Sequence, residues 1–587
     1  MSRTIPLALL TLSLVVGSAL RLDAITDRWG YVNGPRAVWW LQRGAHWFTG
    51  MFPPAVRDWS PEPEYPHQDD RPSRYRSDPY TYLRRAREMS SFYEAHHREP
   101  VFPYAVKGHL RALGDQDVAV SFASATFAIL TILTTYAMGT LAFSRWAGGL
   151  AAFAFAIERD AIFWGVGGWR DDAFAFAVTL AVCALIRYAR QPSGGNAVAL
   201  GAVSALACLV RIFAITFLVP AFLYMLWSMT GPWRTRLQNL AIAAATAAVL
   251  VAPYLVNCWL VYGDPLYALN YQPVAYLEWE NASPATNPGA VGYIGSKLLT
   301  TPFETLDTAV LGMTSYPFLN KWSGFDPWWP GAGSVLAGAA IIGLTAATAS
   351  PNGRLLLLVL LSAQVPFAFT WRLSSDWRYT QFAYPFFLVC AALAITGVLA
   401  LAQPSRWTRS AVRWPARATL LHWTLLFAAI VGVVVLVMRV LPVMKVREAL
   451  ITNGAATIEA GPRDGAFFRE GWSGRVTTGN VTARVASGSS STVDLPIPRP
   501  ADFKVTVRLD PVPPPSSEDG ARPTVRIFFN RTLVHTVSLS WDPERVGSYD
   551  FMLRRELVAP GVNQLVFTSE APEAGFKLWY VLVQPVS

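Results

Sequence analysis

The stretch Arg74-Tyr-Arg-Ser-Asp-Pro-Tyr-Thr-Tyr-Leu83 opens the part of the sequence that decides the fold. A short amphipathic run follows it, and the stretch ends in His96-His-Arg-Glu-Pro-Val-Phe-Pro103. Asp78 followed by Pro79 is typical of a helix start, with a carboxylate at the N-cap and proline at the first helical position. The sequence therefore predicts a helix that begins with an acidic side chain.

This predicted helix has two different faces. Residues that recur at spacings of three and four form the first face, namely Leu83, Ala86, Met89, Ser90 and Tyr93. Charged residues fall mostly on the other face, namely Arg84, Arg85, Arg87 and Glu88. Such a pattern predicts a helix that lies on a membrane interface. A carboxylate at the start of this helix, close to the bilayer, is the feature on which we base the functional prediction.

The composition indicates a membrane protein. The chain has 587 residues, of which 52% are hydrophobic and 15% are charged, whereas roughly 25% of the residues of a soluble protein are charged. The formal net charge of +10 is explained by topology and by anionic lipid. No basic stretch belongs to a nucleic-acid-binding module, so nucleic acid is not a predicted partner. The four cysteines show neither metal-ligand spacing nor a disulfide framework.

About eleven apolar segments predict a polytopic transmembrane domain over 1–445. The first segment, Ile5–Leu20, is either a signal peptide or a retained helix, and we favour the retained helix. The others lie at approximately 118–143, 147–166, 171–188, 196–211, 213–229, 238–256, 332–348, 355–371, 380–402 and 420–441. Only Arg211 marks a turn between the segments 196–211 and 213–229.

The distribution of arginine predicts the orientation in a plasma or inner membrane. An amino terminus on the inside places ten arginines in cytoplasmic loops, as the positive-inside rule requires: Arg145, Arg187, Arg190, Arg234, Arg236, Arg354, Arg406, Arg409, Arg413 and Arg417. A long loop over 21–117, a second loop over 257–331 and everything after Leu441 then lie on the non-cytoplasmic side. The first loop is expected to carry amphipathic helices.

From about residue 460 the pattern changes to short β-strands. Alternation over Phe503–Leu509 and Val525–Phe529, with turn residues between such runs, predicts a small β-sandwich of jelly-roll type over 460–587. We expect it to act as a spacer. An alternative is that it binds carbohydrate through exposed tryptophans, for which the candidates are Trp472, Trp541 and Trp579.

Several charged residues near the apolar segments are candidates for a site. Arg211 lies in an apolar stretch, where a charge is costly and indicates function. Arg170-Asp171-Asp172 stands where a segment meets water, so it forms either an ion-pair network or a substrate contact. Asp69 and Asp70 read as a solvated turn, with a divalent-ion role as the alternative. His96 and His97 are adjacent and would point apart in a helix, which argues against a paired metal site.

The order of these motifs resembles the GT-C superfamily of membrane glycosyltransferases, most nearly the protein O-mannosyltransferase and lipid A aminoarabinose transferase branch. The resemblance covers roughly 1–400. It rests on motifs that occur in the same order, namely Arg21-Leu22, Asp78 with Tyr82, Arg98–Pro103, Arg170–Asp172, Arg211, Tyr262–Leu266, and Arg378-Tyr379 before Tyr384-Pro385. The loop before Asp78 is longer than the family's, and Pro79 replaces an acidic residue that is common there. Asp69 or Asp70 therefore stays an alternative to Asp78.

The resemblance implies inverting transfer of a hexose or pentose from a polyprenyl phosphate to a hydroxyl group of a glycan, lipid or protein. Asp78 would be the general base, because an unperturbed aspartate titrates near ~4 and is ionised at neutral pH. Arg378 and Arg211 would bind the phosphate, although Arg378 also suits an interfacial anchor. Tyr379 would bind the substrate or its phosphate beside Arg378. Arg170, Asp171 and Asp172 would shape the cleft, and Tyr82 and Glu99 would hold the loop. No cofactor is obligatory, although Mg²⁺ or Mn²⁺ is compatible with the site.

Two alternatives belong to other functional classes. A transporter or flippase for a lipid-linked sugar would also have many spans and intramembrane arginines, but it is expected to show internal repeats, which this sequence does not show. The other alternative is a catalytically inactive assembly partner whose β-domain binds carbohydrate. Loss of function on changing Asp78, with normal folding, distinguishes an enzyme from such a partner.

Overall fold

The computed structural model divides the chain into two compact units. The first comprises 1–294 and 311–419, and the second comprises 295–310 and 420–587. The structure describes residues 4–57, 75, 77–279, 283, 287–314, 322–369, 381–402, 432–433, 435–452, 454–461, 463–478, 481–486, 490–512, 524–539, 547–569 and 575–586. The predicted division into 1–445 and 460–587 stays a prediction.

The first unit is helical. Its helices are α1 Thr4–Trp29, α2 Arg36–Thr49, α3 Pro54–Arg57, α4 Ser77–Glu88, α5 Val101–Leu113, α6 Ala119–Ala142, α7 Arg145–Ile157, α8 Arg159–Gly165, α9 Asp171–Arg190, α10 Gly194–Val210, α11 Ile215–Ser228, α12 Trp233–Tyr262, α13 Tyr267–Asn270, α14 Pro273–Trp279, α15 Gly289–Thr300, α16 Pro302–Thr314, α17 Ala332–Ala347, α18 Pro351–Ala368 and α19 Tyr384–Ala402, of which most of α15 and the first part of α16 belong to the second unit. Helix α6 packs against α7 and α9, and α10 packs against α9 and α12.

Apolar helices of membrane-spanning length make the chain an integral membrane protein. Among the described residues, six helices are long and apolar enough to cross a bilayer, and four shorter apolar helices accompany them. Each of the first ten predicted segments corresponds to one of these helices. The eleventh, 420–441, lies largely outside the described residues. The prediction of a polytopic α-helical membrane protein is confirmed.

Two breaks in these helices come from polar side chains. The predicted segment 147–166 is interrupted at Glu158, whose carboxylate accepts a hydrogen bond from the backbone amide of Ala161 and so begins a new helix, α8. The predicted separation of 196–211 from 213–229 is confirmed. Arg211 has an extended backbone (φ −151°) after the end of α10, and a 3₁₀ turn at Ile212–Ala214 leads into α11.

Close packing of small residues brings the helices together. A Cβ atom on Gly139 of α6 would lie 2.7 Å from the Cα of Gly148 in α7, so neither position has room for a side chain. Small residues at such contacts let helix backbones approach closely, which favours association in a bilayer.

The first helix is longer than its sequence pattern predicts. It continues to Trp29, whereas the long loop was expected to begin at Arg21. Arg21 is completely buried, and its Nη1 donates to the carbonyl oxygens of Gly17 (3.0 Å) and Ala156 (3.3 Å). These internal acceptors explain why a charged residue does not end the helix.

Helix α4 corrects the prediction in three details. It begins at Ser77, two residues before Pro79, the expected first helical position, and it ends at Glu88, so Met89, Ser90 and Tyr93 lie beyond it. Leu83, Ala86 and Met89 are buried as predicted. Arg85 was assigned to the charged face, but it is also buried, because its Nη1 donates to the carboxylate of Glu94 at 2.8 Å.

The second unit contains a β-sandwich. A π-helical turn Leu436–Val440 leads into helix α20 Leu441–Ile451. The strands are β1 Ala456–Glu459, β2 Trp472–Thr478, β3 Val481–Ala486, β4 Ser490–Ile497, β5 Phe503–Pro511, β6 Thr524–Phe529, β7 Thr532–Ser538, β8 Ser548–Leu553, β9 Gly561–Ser569 and β10 Phe576–Pro585. One sheet has the order β2-β3-β10-β5-β8, with β1 also paired to β10, and the other has the order β4-β9-β6-β7. The predicted C-terminal all-β domain is confirmed.

A single apolar core joins the two sheets. Alternate residues of β5, such as Val505 and Val507, and residues of the facing sheet, such as Ile527 and Phe567, belong to one buried cluster. Trp472 packs among phenylalanines of this core, and Trp579 is only 9% exposed. Trp472 is partly buried and Trp579 is largely buried, which argues against the suggestion that they stack on sugars. Trp541 lies outside the described residues.

Candidate active site

Three ion pairs bring together six residues from distant parts of the first unit. Asp78 pairs with Arg98, Glu99 with Arg170, and Asp171 with Arg211. They join the start of α4, the loop before α5, the start of α9 and the break after α10. Five of the six are residues that the sequence singled out as candidates; the sixth, Arg98, was noted only as part of a motif.

The pair of Asp78 and Arg98 is the most accessible of the three. The Asp78 Oδ1 to Arg98 Nη2 distance is 2.5 Å, and the two side chains are 24% and 18% exposed. Ser77, just before Asp78, has a left-handed backbone (φ 53°), which is uncommon for serine. Burial opposes the charge on Arg98, but the neighbouring side chains of Asp78, Tyr82 and Glu99 together outweigh this effect and raise the pKa of Arg98. Arg98 is therefore a permanent cation beside an accessible carboxylate.

Glu99 fastens the loop before α5 to the ends of two other helices. One carboxylate oxygen accepts from the guanidinium of Arg170, and the other accepts from the backbone amide of Ile212 at 2.9 Å. The side chains of Glu99 and Arg170 are only 2% and 4% exposed. This geometry agrees with the predicted role of Glu99 in holding the loop.

Arg211 is closed off by its surroundings. Its Nη2 donates to the carboxylate of Asp171, and its guanidinium lies over the rings of Phe174 (5.5 Å) and Phe367 (5.4 Å). Only 4% of the side chain is exposed. The structure thus favours the ion-pair reading of Asp171, and it leaves Arg211 little surface for a ligand.

Asp172 points away from this network. Its carboxylate accepts from the hydroxyl of Ser124 (2.8 Å) and from the side-chain amide of Gln381 (2.6 Å). Neighbouring aspartates of α9 therefore make different contacts, and Asp172 links α9 to α6 and to the 3₁₀ turn Gln381–Ala383 that precedes α19.

The ring of Tyr82 lies beneath the ion pair of Asp78 and Arg98. It is 1% exposed, packs edge-on against Phe102, and lies 5.6 Å below the guanidinium of Arg98. Burial raises the pKa of its hydroxyl, so Tyr82 stays neutral at physiological pH. Its position supports a structural part in the site.

The two adjacent histidines stack instead of pointing apart. The rings of His96 and His97 are 4.1 Å apart, and His97 also stacks on Tyr271 at 4.3 Å. The residues lie in a loop, so the helical geometry that we assumed does not apply. Burial first, and then positive neighbours, lower the pKa of His96 to about 4 and that of His97 to about 3.

The remaining predicted candidates are not placed. Asp69, Asp70, Arg378 and Tyr379 lie outside the described residues. Within the part of the chain that the structure describes, no three His, Cys, Asp or Glu residues form a group that could hold a metal ion.

Sequence reasoning missed Arg98, Ser124 and Gln381. Arg98 stands directly beside Glu99 in a quoted motif, so the alternation of charge there was a usable signal. Ser124 and Gln381 lie inside apolar stretches and give no local signal. The resulting site has an accessible carboxylate, Asp78, with an adjacent cation, Arg98. Two buried ion pairs, Glu99 with Arg170 and Asp171 with Arg211, support it.

Part of this site lies in a segment that resembles a known protein family. Residues 97–257 match the family model described as dolichyl-phosphate-mannose-protein mannosyltransferase. The comparison with curated protein sequences finds no significant match.

Solved structures show low similarity. The oligosaccharyltransferase AglB of Archaeoglobus fulgidus, in complex with an inhibitory peptide and a dolichol-phosphate, is 14% identical over 74% of this chain and 54% of that chain, with a TM-score of 0.41. ArnT of Cupriavidus metallidurans, bound to undecaprenyl phosphate, is 14% identical over 64% of this chain and 65% of that chain, with a TM-score of 0.34. This chain spans about half the length of the archaeal protein.

The matched segment contains Arg98, Glu99, Arg170, Asp171 and Arg211, and it stops short of Asp78. Over residues 97–257 the resemblance to the GT-C superfamily is confirmed, and this segment is similar to the dolichyl-phosphate-mannose-protein mannosyltransferases.

Proposed function

We propose that this protein is an inverting membrane glycosyltransferase that moves a sugar from a polyprenyl phosphate to an acceptor hydroxyl. The acceptor is a glycan, a lipid or a protein. Transfer takes place on the non-cytoplasmic face of the membrane, where the arginine distribution of the sequence places the loop that carries Asp78.

The observation that carries the proposal is the difference in accessibility among the three ion pairs. Asp78 is 24% exposed, whereas Glu99 and Asp171 are 2% and 6% exposed. A general base must come within hydrogen-bonding distance of the proton that it removes. Of these three carboxylates, Asp78 meets this condition best.

In the proposed reaction, Asp78 accepts the proton of the acceptor hydroxyl while the hydroxyl oxygen attacks the anomeric carbon of the donor. The bond from the anomeric carbon to the phosphate oxygen breaks, and the polyprenyl phosphate leaves with the electron pair. The configuration at the anomeric carbon is inverted because the acceptor enters opposite the leaving group.

Arg98 is the cation that we assign to the departing phosphate. Its Nη2 donates to Asp78, its Nε is buried without a hydrogen-bond partner among the described residues, and 18% of the side chain is exposed, against 4% for Arg211. Arginine suits phosphate because it offers several N–H donors in a planar arrangement. Arg211 was predicted for this role, but Asp171 and two rings enclose it. Arg378 stays a predicted second ligand.

The similarity over residues 97–257 supports the donor class, because the family description names dolichyl-phosphate-mannose. The description covers the segment of Arg98, Glu99 and Arg170. It supports a lipid-phosphate donor, and the identity of the sugar is left to experiment.

The test is a transfer assay with purified membranes and a panel of radiolabelled polyprenyl-phosphate sugars. We expect Asp78→Asn to lower transfer by at least about a hundredfold, since proton transfer contributes typically 10²–10⁴-fold. The matched control is Asp115→Asn, which removes another exposed carboxylate paired with an arginine, Arg87 at 2.8 Å.

Each outcome decides between functional classes. Transfer that persists in Asp78→Asn contradicts the assigned base and moves the test to Asp69 and Asp70. Absence of transfer from every donor, together with movement of the intact carrier across the bilayer, would identify a flippase. Absence of both activities would identify an assembly partner.

A further inference from the structure

Two arginines of the C-terminal domain face each other on neighbouring strands. In the antiparallel pair of β2 and β3, Arg475 is the direct cross-strand partner of Arg484. Like charges directly opposite each other destabilise a sheet. A pair of this kind therefore creates a local excess of positive charge that an anion could compensate.

The two guanidinium groups converge on one point beside a glycine. A Cβ atom at Gly465, in the 3₁₀ turn Arg463–Ala466, would lie 3.3 Å from Nη2 of Arg484 and 3.9 Å from Nη2 of Arg475. Because residue 465 has no side chain, the space between the two groups stays open. A small anion at this point can accept hydrogen bonds from both.

A third arginine reaches the same turn from the helical segment before the domain. Nη1 of Arg439, in the π-helical turn Leu436–Val440, lies 3.5 Å from the carbonyl oxygen of Gly465. This residue stands near the end of the apolar segment 420–441, where the sequence predicts that the chain leaves the bilayer. We call Arg439, Arg475 and Arg484 the arginine cluster.

The cluster is short of negative charge. Neither Arg475 nor Arg484 forms an ion pair with a carboxylate among the described residues. Nε of Arg484 is buried there without a hydrogen-bond partner, and its guanidinium lies 4.3 Å from the ring centre of Phe468. Burial and then the charge of Arg475 lower the pKa of Arg484, while Asp464 opposes the shift.

Phosphate is the anion that suits this arrangement. Arginine groups bind phosphate oxygens with paired, charge-assisted hydrogen bonds. Lipid phosphate groups also lie at the depth where a membrane-spanning segment ends, and they attract basic residues there. Acidic protein side chains would match the charge, but the position at the end of an apolar segment favours a lipid.

We propose that the arginine cluster is a binding site for the phosphate group of a membrane lipid, built around the side-chain-free Gly465. The phosphate belongs to an anionic phospholipid or to a polyprenyl phosphate. The site is independent of the proposed transfer reaction, because none of its residues belongs to the candidate active site.

The experiment measures binding to the full-length protein in neutral detergent by titration with three probes: dihexanoyl phosphatidylglycerol, farnesyl phosphate and inorganic phosphate. The double variant Arg475→Gln/Arg484→Gln is compared with Arg554→Gln/Arg555→Gln, which removes the same charge from two exposed positions elsewhere in the domain. The candidate active site is the same in both variants, so a difference between them reports the cluster.

We expect the first double variant to bind at least one lipid phosphate about tenfold more weakly or worse than the control, since each lost bond is charge-assisted. A selective loss with phosphatidylglycerol identifies a phospholipid site, and a selective loss with farnesyl phosphate identifies a carrier site. Equal affinities of the two double variants for all three probes would overturn the proposal.

Two further variants separate binding from folding. Gly465→Ala keeps every charge but fills the space between the guanidinium groups, so it should weaken binding as the double variant does. Arg475→Gln alone alters an exposed residue that the fold does not need. Unchanged binding in both, in protein with wild-type thermal unfolding, contradicts the site.

Discussion

At the scale of single residues, Glu99 and Asp78 differ in how far water reaches their ion pairs. Glu99→Gln would leave the Arg170 cation buried and without its counter-charge, which typically costs about 3–5 kcal/mol of stability. Asp78→Asn breaks a partly exposed pair and should cost about 1 kcal/mol or less. Thermal unfolding in detergent checks this difference. If the Glu99→Gln protein is as stable as the Asp78→Asn protein, the predicted difference is refuted. The double variant Glu99→Gln/Arg170→Met removes the unpaired cation as well, so it should recover part of the stability that Glu99→Gln loses.

A second residue-scale prediction concerns pH. His96 and His97 have folded pKa values of about 4 and 3, below the ordinary 6.5. The unfolded chain therefore binds protons more readily, so the stability from these residues is present above pH 6.5 and is lost as the pH falls toward 4. The melting temperature should fall between pH 7 and pH 5 by less in His96→Gln/His97→Gln than in wild type. His109→Gln is the control, and an identical fall in all three proteins would contradict the prediction.

The sequence identifies the charged residues of the candidate site, but it does not predict which of them pair with each other. Glu99, Asp171 and Arg211 were recognisable because charges near apolar segments need a partner. Their pairing was not predictable, because the partners are 71 and 40 residues apart and belong to separate elements. The salt bridge from Asp78 to Arg98 spans 20 residues across a helix and a loop, a distance that local periodicity does not describe.

At the scale of elements, Glu448 of α20 caps a helix from another part of the chain. Its carboxylate accepts from the backbone amides of Phe303 (3.1 Å) and Glu304 (2.8 Å), the first turn of α16. A carboxylate there satisfies unpaired N–H groups and complements the helix dipole. Glu448→Gln should therefore destabilise α16 by about 1 kcal/mol.

Hydrogen exchange checks this expectation, since the amides of 303–306 should exchange faster in Glu448→Gln than in wild type while those of β5 do not. Glu470→Gln, a change of an exposed glutamate in the same unit, serves as the control. Unchanged protection of 303–306 would show that other contacts hold the helix.

Elements with a strong pattern were predictable, whereas others depended on tertiary contacts. Long apolar runs such as 118–143 gave the spans to within a few residues. Strand β4 was missed because Ser490–Ile497 contains serine, aspartate and proline, which are rare in strands. It forms because β9 pairs with it along its whole length.

At the scale of the whole molecule, the proposed roles of Asp78 as base and Arg98 as phosphate ligand predict that sugar transfer does not require a metal ion. Arg98 can meet the charge of the leaving phosphate, which is the task that a divalent cation performs elsewhere. Transfer should therefore proceed at an unchanged rate after exhaustive treatment with EDTA. Loss of transfer that Mg²⁺ or Mn²⁺ restores would contradict this expectation and direct attention to Asp69 and Asp70.

The class of the molecule followed from composition, because only a bilayer accommodates so many apolar helices with so few charges. The second unit was harder to delimit. It includes 295–310, which the sequence assigns to an external loop, because contacts such as that of Glu448 with α16 cannot be read from either segment alone.

The burial of Arg21 has a consequence for how the protein is made. Its distant acceptor, the carbonyl oxygen of Ala156, is synthesised 135 residues later. Ribosomes add residues from the amino terminus, so α1 must enter the membrane while this guanidinium still lacks that partner. An arginine within a nascent membrane helix opposes insertion. We therefore expect α1 to stay beside the insertion machinery until α7 emerges, which would make assembly of the bundle depend on the order of translation.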